Sequence, residues 1–344
     1  MSPFEIRAAT TADEEGLFRL ATHLDTVNLP ADREAIGHLL ATSERSFSGA
    51  IGDPFRREYV FAIVDTASRS IVGTSMILAQ LGRRDAPYIY LDVLDEEHYS
   101  ATLDRHFKHT TLSIGYSYSG PTELGGLIVL PEYRQRAEKV GLLISYVRFL
   151  FIRMHRARFR DELLAELLPP LEPDGRSHLW DALGHRFTGL SYAEADRLSR
   201  RNKEFIRGLF PEGTIYASLL PPRAQEVIGK VGAQTRGVEK MLRRIGFRYA
   251  ERVDPFDGGP HFTAPTDDVA LVTRSRERIL GEADEGARGA GMALVAVSSD
   301  TPPFFRAVHV PFAPDGSDII HLPEGARLRL GRARGDRVWV LPVD

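Results

Sequence analysis

At 344 residues the chain can hold one large or two ordinary domains, each burying a core of its own. Its 43% hydrophobic and 26% charged residues are those of a globular protein, and a net charge of -3 gives no basic surface for nucleic acid. No cysteine is present, which excludes disulfides, thiolate metal sites and a cysteine nucleophile and fits a reducing cytoplasm.

The N-terminal residues lack the basic start and apolar stretch of a signal peptide. Phe4 to Ala8 alternates like a half-buried strand. The Thr10-Thr11-Ala12-Asp13-Glu14 run that follows has a threonine three residues before an acid, which is a helix-start signal. The helix it announces puts Leu17, Leu20 and Leu24 on one face, and a second is expected from near Pro30 through Ile36, Leu39 and Leu40. Tyr59–Val64 and Ile71–Leu78 are rich in β-formers, and the polar Asp65–Ser70 between them reads as a hairpin connection. From Thr122 a strand runs to Leu130 and stops at Pro131. A helix then spans about Val140 to Arg158, and a strand follows at Leu163–Leu168. The apolar run Val140–Met154 is broken by Ser145, Arg148 and Arg153 and is shorter than the roughly 20 residues that cross a bilayer, so no membrane span is expected.

The second half is more helical, with segments near 177–186, 192–199, 202–210 and 235–245, then a strand at Arg248–Val253. The charged, glycine-rich stretch Arg274–Gly291 reads as a linker or exposed helix. Four β-like runs follow it, at Leu294–Val297, Phe304–Val310, Asp318–Leu322 and Val338–Val343. The fold class is therefore α+β, with a mixed, mostly antiparallel sheet, flanking helices and a small C-terminal β module. The expected domains are 1–170, an acetyltransferase-like acyl-CoA-binding half; 171–272, a second half of the same kind that completes the active site; and 273–344, the β module.

The unit from Glu123 to Phe149 carries the first chemical signal. In acetyltransferase-like folds a splayed central strand offers its backbone to the pantetheine arm of CoA. A turn with Arg or Gln, then glycine, offers N–H groups at a helix N-terminus to the pyrophosphate. Here Leu127, Ile128 and Val129 lie on the strand and Arg136, Lys139 and Gly141 in the turn. Lys139 stands where the usual pattern has its first glycine, which costs freedom of close approach. An ordinary strand-turn-helix with a charged turn is the competing account of the same residues.

Many short segments in order resemble the arginine N-succinyltransferase family. They include Asn28-Leu29-Pro30-Ala31-Asp32, Leu130-Pro131-Glu132-Tyr133-Arg134, Arg148-Phe149 and Trp180-Asp181-Ala182-Leu183-Gly184. Gln225-Glu226-Val227-Ile228-Gly229-Lys230-Val231 and Gly246-Phe247-Arg248-Tyr249 follow, and then the most specific piece, Val253-Asp254-Pro255-Phe256-Asp257-Gly258-Gly259-Pro260. The resemblance implies succinyl-CoA as donor, the α-amino group of arginine or ornithine as acceptor, and Leu127 as a succinyl-CoA contact. It implies no metal and no tightly bound cofactor. It also implies a homo- or hetero-oligomer, because some members resemble paired subunits. The acceptor's guanidinium calls for acidic partners, for which Glu123, Asp254 and Asp257 are the candidates, with Asn28 beside them. Asp257 before two glycines and Asn28 before a helix also suit plain turn and cap roles.

One departure bears on mechanism. The family's histidine taken to be the proton donor falls on Gly232, which has no side-chain proton to give. Tyr216 and Tyr249 are the weak substitutes; His185 and His309 read as structural. Two alternatives stand beside the transferase: a catalytically silent regulatory or structural subunit, and an N-acyltransferase for another cationic amine. Residues 90–119 fit the family poorly, and Gly125-Gly126 replace larger residues beside Leu127.

Overall fold

A computed structural model describes residues 2–23, 29–172, 175–199, 202–285, 291–314 and 318–343. They form two compact units, each built from separated stretches of chain. The first comprises Met1–Gln80, Leu124–Asp161 and Thr266–Asp344, and the second Leu81–Glu123 and Glu162–Pro265. Linear boundaries at 170 and 272 therefore do not follow the compact units.

In the first unit the strands lie in the order Ala313–Pro314, Ile319–His321, Arg276–Leu280, Arg337–Val343, Met292–Ser298, Phe305–Pro311, Phe4–Ala8, Glu58–Asp65 and Ser70–Leu78. The part of Thr122–Val129 beyond Glu123 comes next. The C-terminal strands extend this sheet rather than forming a module apart, since Phe305–Pro311 pairs antiparallel with Phe4–Ala8. Arg274–Gly291 is not a linker or a helix over its described length. Arg276–Leu280 is a strand, antiparallel to Arg337–Val343 and parallel to Ile319–His321. Only Leu280 of its five residues is buried, so no hydrophobic alternation announced it.

Local signals account for the helices of this unit. Thr10 and Asp13 form the capping box that opens a short 3-10 turn leading into Glu14–His23, which buries Leu17, Leu20 and Ala21. Asp32 caps Arg33–Phe47 by accepting from the Ala35 N–H at 2.9 Å. Val140–Met154 buries nearly its whole length. Phe47, Phe61, Phe151 and Phe305 meet edge to face at centroid distances of 5.1–5.4 Å, tying two helices and two strands into one core. Truncating such a ring to alanine costs about 3–5 kcal/mol.

In the second unit the order is Thr122–Glu123, Glu162–Glu166, Pro260–Pro265, Arg248–Val253, Tyr88–Ser100, Arg105–Ser117 and Ile215–Tyr216. Tyr88–Ser100 and Arg105–Ser117 pair residue for residue as a long hairpin. Among the described residues other strands pair with it only at Leu91, Asp92, Thr111 and Leu112. Its outer part is charged and exposed, with Lys108 on Asp95 at 2.9 Å, and carries no hydrophobic period to read. The helices of this unit pack around Trp180, which stacks on Phe256 with ring centroids 4.9 Å apart. A Cβ at Gly184 would lie 2.3 Å from the Trp180 ring, which explains the glycine in the Trp-Asp-Ala-Leu-Gly motif.

Candidate active site

In the first unit the strand Thr122–Val129 carries a left-handed residue at Gly126, with φ 57°. A Cβ there would also sit 2.6 Å from Met76 Sδ, so glycine is required twice over. Ile128 and Val129 are buried and Leu127 half-buried. After Pro131–Tyr133 the exposed Arg136 lays its guanidinium 4.5 Å from the Tyr133 ring. Lys139 is itself left-handed, with φ 54°, and opens the helix Val140–Met154. Its carbonyl accepts from the N–H groups of Leu142 and Leu143 at 2.9 and 3.1 Å. The N–H groups of Val140 and Gly141 face out of the helix end, where an anion is favoured. A Cβ at Gly141 would meet only Val129 Cγ2 at 3.8 Å, so the approach is open. Leu127, Ile128, Val129, Arg136, Lys139 and Gly141 thus share one strand-turn-helix. The lysine takes the backbone conformation that a glycine adopts most easily. His309, on Phe305–Pro311, is held below the usual histidine range by burial and by Lys139.

The second unit gathers carboxylates. Glu166, Asp254 and His261 offer ligand atoms that all lie within 4.8 Å of one another. The register of the sheet makes this group, because His261 on Pro260–Pro265 pairs directly with Glu166 on Glu162–Glu166. Burial, then Glu123 and Asp254, push the Glu166 carboxyl well above the usual range, although its side chain keeps 33% exposure. Burial raises Asp254 to about 6, and burial with Asp254 raises Asp257. Lys203 is a cation that acts on both Glu166 and Asp254. Four carboxylates therefore repel one another in a poorly solvated place, an arrangement that favours either protons or a bound cation.

His261 is fully buried and neutral, its pKa pushed down to about 3 by burial, then by Arg252 and Lys203. Its Nδ1 shares a 2.8 Å hydrogen bond with the Tyr88 hydroxyl. Its Nε2 faces Glu166 Oε1 at 3.5 Å and has no hydrogen-bond partner.

Glu123, Asp254 and Asp257, the three acids expected from sequence, each act on Glu166. Asp254 and Asp257 also shape their loop. Asp254 Oδ1 accepts from the Phe256 N–H at 2.7 Å, and Asp257 Oδ1 from the Gly259 N–H at 2.7 Å. Asn28 lies outside the described residues. Glu166, His261 and Tyr88 were not singled out from sequence. The one available signal was an acid in the otherwise apolar run Leu163–Leu168.

Gly232 donates its N–H to the Leu168 carbonyl at 2.8 Å. A Cβ there would lie 2.6 Å from the Pro169 carbonyl oxygen and 2.9 Å from that of Leu168. The position has no room for a histidine on this backbone. Tyr216 gives its hydroxyl to Glu96 at 2.7 Å beside His98 and His109. Tyr249 packs against the second unit's core, and burial, then Glu251, raise it to about 12. Neither tyrosine has a hydroxyl poised to release a proton near neutrality. The exposed His185 has its Nδ1 2.9 Å from the Leu190 carbonyl.

The family model described as arginine N-succinyltransferase beta subunit matches residues 4–271. The chain belongs to the arginine N-succinyltransferase family. Arginine N-succinyltransferase of Yersinia pestis is 32% identical over 98% of this chain and 97% of its own length. Arginine N-succinyltransferase subunit beta of Pseudomonas aeruginosa is 33% identical over 82% of each chain. The solved structure of arginine/ornithine succinyltransferase subunit AI from Pseudomonas aeruginosa superposes with a TM-score of 0.84 at 28% identity, covering 99% of both chains. The arginine N-succinyltransferase fold thus runs through the whole chain, C-terminal strands included. No helix among its described residues is long and apolar enough to cross a membrane.

Proposed function

We propose that this protein transfers succinyl from succinyl-CoA to the α-amino group of arginine or ornithine, in the cytoplasm and without a metal or bound cofactor. The observation that carries this reading is the group formed by Glu166, Asp254 and Asp257, each raised chiefly by burial, with Glu123 a further carboxylate acting on Glu166. A cationic amino acid supplies the charge they lack. The substrate name shared by the relatives agrees with that chemistry. The strand Leu127–Val129 and the helix start at Lys139–Gly141 are assigned to the acyl-CoA.

The acceptor arrives as an ammonium and must lose a proton before it attacks. Glu166 holds a proton more tightly than an ordinary carboxylate, which suits it to accept that one. His261, oriented by Tyr88, stands behind it as a neutral partner. The amine nitrogen then bonds to the thioester carbon, the carbon–sulfur bond breaks, the nitrogen gives its second proton to solvent, and the departing thiolate takes one from solvent. No acid is needed at position 232. Acid assistance is worth about 10²–10⁴-fold, and a thiolate departs without it.

A silent subunit is the second reading, favoured by the packing that closes position 232 to any side chain. Thiol release from succinyl-CoA by purified protein, with and without L-arginine or L-ornithine, decides between them. Release that depends on the amino acid supports the transferase. No release with either, together with no binding of CoA by calorimetry, leaves the silent subunit. Loss of turnover on chelation would instead make Glu166, Asp254 and His261 a metal centre.

A further inference from the structure

Arg148, on the third turn of Val140–Met154, is 2% exposed. Its Nε donates to the Ser145 carbonyl at 3.1 Å, its Nη2 to Ser145 Oγ at 2.8 Å and its Nη1 to the Gly125 carbonyl at 3.4 Å. Every acceptor is neutral, and among the described residues no carboxylate pairs with it. Three of its five N–H groups are thus engaged, leaving one on each Nη. N–H groups left over in this way are the donors with which a guanidinium holds a carboxylate. A buried charge is ordinarily paired, and this one is not. Desolvation alone acts on it and draws it down to about 9, a loss that an anion would reverse.

Its place narrows the anion. The Gly125 carbonyl that Arg148 reaches belongs to the strand carrying Leu127, and the left-handed Gly126 lies between the two. We infer that Arg148 binds the terminal carboxylate of the acyl group, so that the donor is the CoA ester of a short dicarboxylic acid. The inference rests on the transferase reading for the direction of the acyl group, and it deepens that reading by naming what selects the donor. The methionines and aliphatic residues elsewhere on this strand and its neighbour offer no other charge for that carboxylate; Met76 is the side chain against Gly126.

The test compares succinyl-CoA with butyryl-CoA, which has the same chain length and a methyl in place of the carboxylate, using L-arginine as acceptor. The wild type is expected to show kcat/KM at least about 100-fold higher with succinyl-CoA. Arg148→Met should bring that ratio close to one, mainly by loss with succinyl-CoA, and Arg148→Lys should retain part of it. Equal loss with both donors would make Arg148 only a clamp on Gly125 and overturn the inference. If Arg148→Met does not fold, Arg148→Lys carries the test, with a lowered succinyl-to-butyryl ratio expected and an unchanged ratio overturning the inference. Failure to acylate arginine with either donor would sink the transferase reading instead. Calorimetry of the two CoA esters on the wild type and on Arg148→Lys then tests Arg148 separately, with the preference for succinyl-CoA expected to weaken in the variant and an unchanged preference overturning the inference.

Discussion

The two units carry opposite imbalances of charge. The first holds a guanidinium, Arg148, with only neutral oxygens around it. The second holds Glu166, Asp254 and Asp257, raised by burial first and then by neighbouring carboxylates, among them Glu123 beside Glu166. Neither arrangement helps a protein fold, since unpaired buried charge is destabilising. Each makes sense as half of an ion pair whose other half is a substrate: a dicarboxylic acyl group for the first and a cationic amino acid for the second. The lesson is that a charge deficit, read with its sign, can say more about a ligand than a motif can. Here the turn motif is imperfect at Lys139 and the proton-donor position is glycine.

The most severe way to break this comparison is to remove the acid assigned both to bind and to accept a proton. Glu166→Gln should lower kcat/KM for arginine by at least about 100-fold while leaving succinyl-CoA binding unchanged. Because it relieves repulsion, the same substitution should leave thermal stability unchanged or raise it. Initial rates and a melting curve on one preparation check both; a melting point that falls with the activity would make Glu166 structural. Next in size is position 232. Gly232→Ala and Gly232→His should both destabilise, by about 1–3 kcal/mol, because the Cβ alone meets the Pro169 and Leu168 carbonyls at 2.6 and 2.9 Å. Histidine should then give no rate gain over alanine, as steady-state assays and chemical denaturation can establish. A faster His variant would show that the backbone yields and that acid assistance was what the site lacked.

How much of this was legible in the sequence depended on whether the signal was local. Helices with caps or apolar faces were readable, and Tyr192–Ser199 and the strand Arg248–Val253 carry the bounds the sequence suggested. The long hairpin was not, because its outer part is charged and exposed and its strands pair mostly with each other. Asp254, Asp257 and Glu123 were reachable through a motif. Glu166 and His261 become neighbours only through the register of strands about 95 residues apart in the chain, which no local pattern encodes. Arg148 appears in the sequence as a polar break in an apolar helix and as one residue of a short segment resembling the family. Its lack of an anion is a fact of packing.

The smaller effects follow from proton linkage and sharpen the same comparison. A carboxyl whose folded pKa is raised contributes stability while protonated and loses it as the pH rises through the folded value. For Asp254 that loss falls between its ordinary value near 3.8 and about 6. L-arginine should therefore raise the melting temperature more at pH 7.5 than at pH 5, where protons already relieve the repulsion. Equal shifts at the two pH values would argue that the amine binds elsewhere. Smallest is the acid side of the first unit. His155, packed on Phe151 with centroids 4.6 Å apart, is drawn down to about 4 by burial and by Arg158. A lowered histidine stabilises above its unfolded value and loses that contribution as the pH falls from about 6.5 toward 4. His155→Gln should flatten this limb of the stability profile measured by denaturant titration. The buried His261 of the second unit acts in the same direction, so the flattening should be partial. Complete flattening would mean that His261 contributes nothing to this limb.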